Sequence, residues 1–223
     1  NFDVMNAPFE SEYLYKAISD MLALVKEQNA WPTWCLSNHD CERVASRIGP
    51  DAARAMALFI LGLPGSTYIY NGQELGLPSG EMEDQDRQDP IFFRTGGKQK
   101  GRDGARVPMP WNGAQAPFGF TTGKPWLPMQ DSWQKFTVES ELADFASSLN
   151  LYRKALKLRR QKFVGSGEIS WQHTSGLLSY KRGEITVVIN ISEQAQQISG
   201  NVLLASQEIT DLLPPATAAW LLP

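Results

Sequence analysis

Helical and strand-like spacing alternate along the first third of the chain. Leu14, Ile18 and Val25 recur at helical intervals, which predicts an amphipathic helix. Two short apolar runs, 34–36 and 66–70, are rich in aromatic and β-branched side chains, as buried strands are. The predicted elements are a strand end at 1–5, a helix at 12–28, a strand at 34–36, a buried helix at 52–63 and a strand at 66–70. This order indicates parallel βαβ units.

Residues 78–135 interrupt this rhythm. They are rich in Gly, Pro, Asp and aromatic residues and have no sustained period. Such a stretch in a compact domain predicts a long loop that carries function. An amphipathic helix is predicted at 140–162, and its basic C-terminal half is interpreted as a solvent-exposed face.

From Gly165 onward the pattern predicts a small antiparallel β-domain. Short apolar or β-branched runs alternate there with polar turns such as 182–184 and 199–201. The strand candidates are 169–171, 177–180, 185–190, 197–198, 202–204 and 219–222. We therefore predict two domains with a boundary near Phe163. They are residues 1–163, with the active-site loop at 78–135, and a β-sandwich at residues 164–223.

Composition narrows the classes of partner. The chain has 223 residues, 21 basic and 24 acidic side chains and a formal net charge of −3. This balance argues against nucleic acid and anionic membranes as partners. No apolar stretch approaches the roughly 20 residues that a membrane span needs. Cys35 and Cys41 are six residues apart, about 20 Å if extended, so we expect two thiols, which fits a reducing cytoplasm.

The segment 34–49, WCLSNHDCERVASRIG, holds the first candidate chemistry. His39 and Asp40 stand next to each other at the end of an apolar run, and Arg43 and Arg47 follow. An apolar run that ends in a polar cluster is typical of a buried strand that delivers side chains to a site. Taken alone, these residues fit a charge-stabilising site and a capped loop about equally well.

Three further segments change that balance. They are TYIYNGQELGL at 67–77, KGRDGARVPMPW at 100–111 and GFTTGKPWLP at 119–128. Together with segment 34–49, and in this order, they resemble the α-amylase superfamily of glycoside hydrolases, in its α-glucosidase and oligo-1,6-glucosidase branch. The resemblance implies an α/β fold, a partial (β/α)8 TIM barrel followed by a small antiparallel β-domain. It matches residues 1–3 to the sixth barrel strand, so we expect roughly the last three βα units here and the first five outside this sequence.

The resemblance also assigns roles. The family's nucleophile, an Asp, and its acid/base, a Glu, follow the fourth and fifth strands, and neither position exists here. Asp40 matches the third family carboxylate, which holds the sugar 2- and 3-hydroxyls in the transition state. His39 matches a residue that donates to the same hydroxyls. Arg102 matches the arginine that grips the terminal glucose in exo-acting enzymes.

Other polar residues receive weaker assignments. Arg43 matches a position near the leaving-group side, whereas Arg47 and Arg106 are interpreted as scaffold. Glu74 is expected to shape the loop after the eighth strand. An ion pair with Asp103 is the alternative for Arg102. Four aromatic residues of the long loop are expected to pack it rather than to stack on sugars: Trp111, Phe118, Phe120 and Trp126.

These assignments predict the C-terminal part of a retaining, exo-acting, cytoplasmic α-glucosidase. It would act on terminal α-linked glucose of oligosaccharides and be inactive alone. We expect no cofactor and no metal site in this chain. Two alternatives stay open: a glucosyl-transferring or isomerising relative, and a non-catalytic amylase-like binding protein. Three barrel strands cannot close a barrel, so we expect self-association or a partner that supplies the missing N-terminal half.

Overall fold

The computed structural model of the protein describes residues 2–163, 167–174 and 176–223. Its helices are α1 (Phe2–Asn6), α2 (Ser11–Glu27), α3 (Val44–Ile48), α4 (Pro50–Gly62), α5 (Pro90–Arg94), α6 (Val138–Ala143) and α7 (Ser148–Lys162). Its strands are β1 (Thr33–Cys35), β2 (Ser66–Tyr68), β3 (Ser170–Thr174), β4 (Leu177–Arg182), β5 (Ile185–Asn190), β6 (Asn201–Ala205) and β7 (Thr217–Leu222). Short 3-10 turns lie at Asp84–Asp86, Asp103–Arg106 and Asp131–Phe136.

The chain divides into two compact units. The sheet unit comprises Asn1–Leu36, Ile48–Tyr68 and Leu151–Pro223. The loop unit comprises Ser37–Arg47 and Ile69–Asn150. The predicted boundary after Phe163 falls at residues 164–166, outside the described residues, and stays a prediction.

The sheet unit contains the parallel pair that the sequence predicts. β1 and β2 pair in parallel from Thr33 opposite Ser66 to Cys35 opposite Tyr68. The chain passes through α3 and α4 between them, because parallel neighbours need a crossover. The Trp34 indole N–H donates to the Pro64 carbonyl at 2.6 Å, which ties β1 to the turn before β2.

Two of the predicted elements differ from the structure. Residues 2–5 of the strand end predicted at 1–5 lie in α1, where Val4 and Met5 are buried. A helical turn pairs backbone groups locally, whereas a lone strand leaves them unpaired. The helix predicted at 140–162 is broken into α6 and α7. The backbone N–H of Ala146 donates to Asp144 Oδ1 at 2.9 Å and that of Asn150 to Ser147 Oγ at 3.1 Å, which ends one helix and caps the next.

The C-terminal strands form one antiparallel sheet of order β3-β4-β5-β7-β6. Within residues 167–174 and 176–223 all the named strands belong to this one sheet, whereas the sequence analysis predicted a β-sandwich. The predicted strand at 197–198 is replaced by one isolated bridge between Gln196 and Leu213. Val188 and Leu221 on one sheet face pack with Leu213 and other apolar residues of the connecting segments.

The other face of this sheet is covered by α4. Tyr180 donates its hydroxyl to the Phe59 carbonyl at 2.6 Å, and the Trp220 indole N–H donates to the Leu58 carbonyl at 3.0 Å. A Cβ at Gly62 would lie 2.7 Å from Val187 Cγ2, so only glycine permits this approach. An almost wholly apolar helix therefore takes the place that a second sheet has in a sandwich.

The last carbonyls of α4 are capped by arginines. Arg182 Nη1 donates to the carbonyls of Gly62 and Leu63, each at 3.0 Å. Arg159 Nη1 donates to the Leu61 carbonyl, and its Nη2 donates to the Gly65 carbonyl at 2.7 Å. These bonds satisfy carbonyls that a helix end leaves without partners.

The loop unit has its own apolar core. Residues 78–135 contain no strand among the described residues, as predicted, but they fold around a buried cluster rather than lie extended. Its members are Leu75, Leu77, Val107, Phe118, Met129 and Trp133. No helix of the described ranges is long and apolar enough to cross a membrane.

Candidate functional site

Asp40 stands on a tight turn that follows β1 in the chain. The backbone N–H of Asp40 donates to Asn38 Oδ1 at 2.8 Å, the bond of an Asx turn. The backbone N–H of Val44 donates to Ser37 Oγ at 2.8 Å. Both bonds fix the backbone around a carboxylate whose side chain is 50% exposed. The turn therefore holds Asp40 while leaving it open to a ligand.

Two arginines meet on one oxygen of Asp40. Arg102 Nη1 donates to Asp40 Oδ1 at 2.7 Å, and Arg106 Nη2 donates to the same oxygen at 3.1 Å. Arg106 Nε also donates to the His39 carbonyl at 2.9 Å. The second oxygen, Asp40 Oδ2, lies 3.4 Å from His39 Nε2. Each carboxylate oxygen thus faces a different kind of donor.

A second carboxylate, the buried Asp89, pairs with the same two arginines. Arg102 Nε donates to Asp89 Oδ2 at 2.7 Å, and Arg102 Nη2 donates to Asp89 Oδ1 at 3.3 Å. Arg106 Nη1 lies 3.8 Å from Asp89 Oδ2. The Asp89 side chain is 0% exposed. Two aspartates and two arginines therefore alternate in one neutral network, which we call the four-charge cluster: Asp40, Asp89, Arg102 and Arg106.

Local sequence explains where Asp89 sits. Asp89 is the N-cap of α5: its Oδ1 accepts the backbone N–H of Ile91 at 3.1 Å, and Pro90 begins the helix. The buried Asp103 Oδ2 accepts the backbone N–H groups of Gln88 and Asp89 at 2.9 and 3.0 Å. Gly101 has φ +76°, and a Cβ there would lie 2.6 Å from Asp89 Cβ. Only glycine allows these two segments of the loop to lie so close together.

The Arg102 hydrogen bond holds the pKa of Asp89 well below its usual range, although burial opposes this. A carboxyl with a lowered folded-state pKa stabilises the fold above its unfolded pKa, about 3.9, and this contribution is lost as pH falls through the folded-state pKa. We expect the stability advantage of wild type over Asp89→Asn to be full above about pH 5 and to shrink below about pH 4. Urea unfolding of both proteins, at a series of pH values from above about 5 to well below about 4, measures this difference in stability. A difference that stayed constant into acid would contradict this linkage.

Arg43, predicted to contact substrate, lies outside the four-charge cluster. It is almost fully buried, its Nη1 donates to the Asn71 carbonyl at 2.7 Å, and its guanidinium lies 5.0 Å from the Tyr70 ring centroid. Burial lowers the pKa of Arg43, and burial raises the pKa of the nearby Glu74 carboxyl. Arg43 therefore holds the loop after β2 rather than a ligand. Its role here is structural, like the role expected for Glu74.

The structure brings together three of the four predicted site residues, Asp40, His39 and Arg102. Arg102 pairs with Asp40 and Asp89, not with Asp103 as its alternative supposed. The sequence reasoning missed Asp89 and treated Arg106 as scaffold. The Asp-Pro pair at 89–90, a common helix start, was the available signal for Asp89.

The loop aromatics divide into two groups. Phe118 is buried in the core of the loop unit, as expected. Trp111, Phe120 and Trp126 are exposed, so the expectation that they pack the loop is wrong for these three. Within the described part of the chain, no group of three or more His, Cys, Asp or Glu residues could hold a metal ion. Cys35 and Cys41 are thiols.

The chain matches a known family model and known proteins. The model of the alpha amylase catalytic domain matches residues 1–167. The "Probable alpha-glucosidase" of Rhizobium meliloti (strain 1021) is 34% identical, over 74% of this chain and 32% of the relative. The "Trehalose-6-phosphate hydrolase" of Escherichia coli (strain K12) is 30% identical, over 85% of this chain and 40% of the relative.

A solved structure agrees over almost the whole chain. The α-glucosyl transfer enzyme XgtA is 29% identical with a TM-score of 0.82, and the match covers 99% of this chain and 45% of that one. The chain therefore spans from 32% to 45% of the length of these relatives.

Proposed function

Because this chain belongs to the α-amylase catalytic-domain family, we propose that it forms the terminal-glucose side of an exo-acting, retaining α-glucosidase. The observation that carries the proposal is the fixed and half-exposed carboxylate of Asp40, held by Arg102 and Arg106. Its substrate would be a terminal α-linked glucose of a short oligosaccharide. The relatives that support this reading include α-glucosidases and oligo-1,6-glucosidases.

Asp40 would act as an acceptor rather than a nucleophile. Its Oδ1 already accepts from two arginines, which leaves Oδ2, beside His39 Nε2, for a sugar hydroxyl. As the ring flattens towards an oxocarbenium ion, bonds to the 2-hydroxyl shorten and strengthen. Asp40 and His39 would thus bind the transition state more tightly than the ground state, and that difference lowers the barrier.

The bond-breaking carboxyl pair would come from outside these 223 residues. Retaining glycosidases need a nucleophile and an acid/base about 5–5.5 Å apart. By family resemblance these follow earlier barrel strands. β1 and β2 form a two-stranded sheet in the described residues, and we propose that strands of the remaining barrel, or of a second copy, pair with its outer edges. The two thiols fit a reducing compartment such as the cytoplasm.

Glucosyl transfer is the second candidate. The resemblance to the α-glucosyl transfer enzyme XgtA, at 29% identity, favours it. Hydrolysis and transfer share the covalent glucosyl intermediate and differ in whether water or a sugar hydroxyl accepts the glucosyl group. Chromatography of the products formed from maltose at high concentration separates the two: glucose alone for hydrolysis, longer or isomeric sugars for transfer.

The proposal predicts activity only when the barrel is complete. We expect no release of nitrophenol from p-nitrophenyl α-glucoside by this chain alone. Fused behind the first five βα units of the Rhizobium meliloti relative, the same chain should release it. The matched control is the same fusion with Asp40→Ala. Activity of the chain alone would contradict our assignment of the reacting carboxyls, and a folded but inactive fusion would contradict the proposed hydrolase.

A further inference from the structure

Asp89 is fully buried, so it cannot touch a sugar that enters from the exposed side of Asp40. Even so, three atoms of Arg102 donate to it: the backbone N–H at 3.0 Å, Nε at 2.7 Å and Nη2 at 3.3 Å. A planar guanidinium held by a carboxylate along one edge has its plane and direction fixed. The orientation of Arg102 is therefore decided from the buried side of the loop unit.

The hydrogen-bond inventory of Arg102 has a consequence for ligand binding. A guanidinium carries five N–H donors. Two face Asp89 and one faces Asp40, so three are engaged and two can donate to an incoming group. Those two lie on the Nη atoms, next to the half-exposed carboxylate. Arg102 therefore presents a fixed pair of N–H donors to a ligand, and its side chain is not mobile.

Charge balance supports the same view. Without Asp89, two arginines would face the single carboxylate of Asp40. The excess positive charge would hold both oxygens of Asp40 and compete with sugar hydroxyls for them. Asp89 takes up one edge of Arg102 and lies 3.8 Å from Arg106, so the four-charge cluster is neutral and Asp40 Oδ2 is kept for another donor.

We propose that Asp89 is a positioning residue: it orients Arg102, and through Arg102 it sets Asp40 and a pair of N–H donors for the terminal sugar. This inference rests on the proposed function for its kinetic consequence, but not for the orientation of Arg102 itself. This pair of donors would recognise two adjacent oxygens of the substrate, the vicinal hydroxyls of a terminal glucose.

Asp89→Asn separates positioning from simple structural support. Asparagine is as good an N-cap as aspartate, so it can still accept from the Ile91 N–H and start α5. Its amide nitrogen would then face the Arg102 donors and cannot accept from them. Glu83→Gln is the matched control, because it removes an exposed carboxylate from the same loop.

The first measurement uses the 223-residue chain and needs no activity. In a spectrum of ¹⁵N-labelled arginine side chains, the Arg102 Nε–H, assigned by its loss in Arg102→Lys, should exchange slowly with water in wild type and in Glu83→Gln. In Asp89→Asn it should exchange at the rate of a solvent-exposed arginine while the circular dichroism is unchanged. Slow exchange that survives in Asp89→Asn would overturn the proposal.

The second measurement uses the fused enzyme. Asp89→Asn should lower kcat/KM about 100-fold in the wild-type background, the scale expected for misplacing a binding group by about 1 Å. It should change kcat/KM less than about twofold when Arg102 is already alanine, because Asp89 acts through Arg102. Equal losses in both backgrounds would overturn positioning through Arg102. An inactive wild-type fusion would count against the proposed function alone, and the exchange measurement would still decide the role of Asp89.

Discussion

Replacing Asp40 with Asn is expected to lower kcat of the fused enzyme by about a thousandfold. Asparagine keeps the shape of the side chain but removes the negative charge that stabilises the developing oxocarbenium ion. It also turns an amide towards the donors of Arg102 or of His39, where wild type has carboxylate oxygens at 2.7 and 3.4 Å. Because the sugar bonds tighten in the transition state, kcat should fall much more than KM rises.

Steady-state kinetics with p-nitrophenyl α-glucoside measures this split, and Glu83→Gln in the same fusion is the control. Circular dichroism should first show that the Asp40→Asn protein is folded. A variant within about tenfold of wild type in kcat would contradict the role given to Asp40. A rise in KM at constant kcat would mean that Asp40 binds ground state and transition state equally.

Trp220→Ala is expected to destabilise the 223-residue chain by about 3–5 kcal/mol. Trp220 is fully buried on β7, its ring centroid lies 4.9 Å from that of Phe163, and its indole N–H donates to the Leu58 carbonyl at 3.0 Å. Alanine would leave a cavity between the sheet and α4 and a buried carbonyl without its donor.

Urea unfolding followed by circular dichroism measures the loss, with two matched variants. Trp220→Phe keeps most of the ring contact but removes the N–H donor, so it should cost about 1–3 kcal/mol. Val202→Ala, on the exposed surface of β6, should lie within about 0.5 kcal/mol of wild type. Equal midpoints for Trp220→Ala and Val202→Ala would contradict the packing described between α4 and the sheet.

Elements with a strong period of their own could be predicted from sequence. The helix predicted at 12–28 is α2, Ser11–Glu27, and the strand predicted at 185–190 is β5, Ile185–Asn190. The error at residues 2–5, predicted as part of a strand end, has a different cause, since a short apolar run becomes a strand or a helix according to which neighbours pair with its backbone. The single sheet was missed because a buried helix and a buried strand can fill the same space.

The candidate site shows the same limit. Asp40, His39 and Arg102 stand in segments that resemble a known family, and the structure brings them together. Asp89 joins the site through its bonds to Arg102, 13 residues further along the chain, and Arg106 joins it through its bond to Asp40, 66 residues earlier. No local pattern encodes such a contact. The Asp-Pro cap marks where Asp89 begins a helix, not what it faces.

The bonds between α4 and the antiparallel sheet bear on how this chain can be cut and recombined. Tyr180, Trp220 and Arg182 all donate to carbonyls of α4 or of the residue after it, so the sheet completes a helix encoded more than 100 residues earlier. A C-terminal sheet grafted from a distant relative would arrive with side chains shaped for another helix. The structural unit is therefore discontinuous and consists of residues 50–63 together with the sheet. We expect chimaeric enzymes to fold only when both of these pieces come from the same parent.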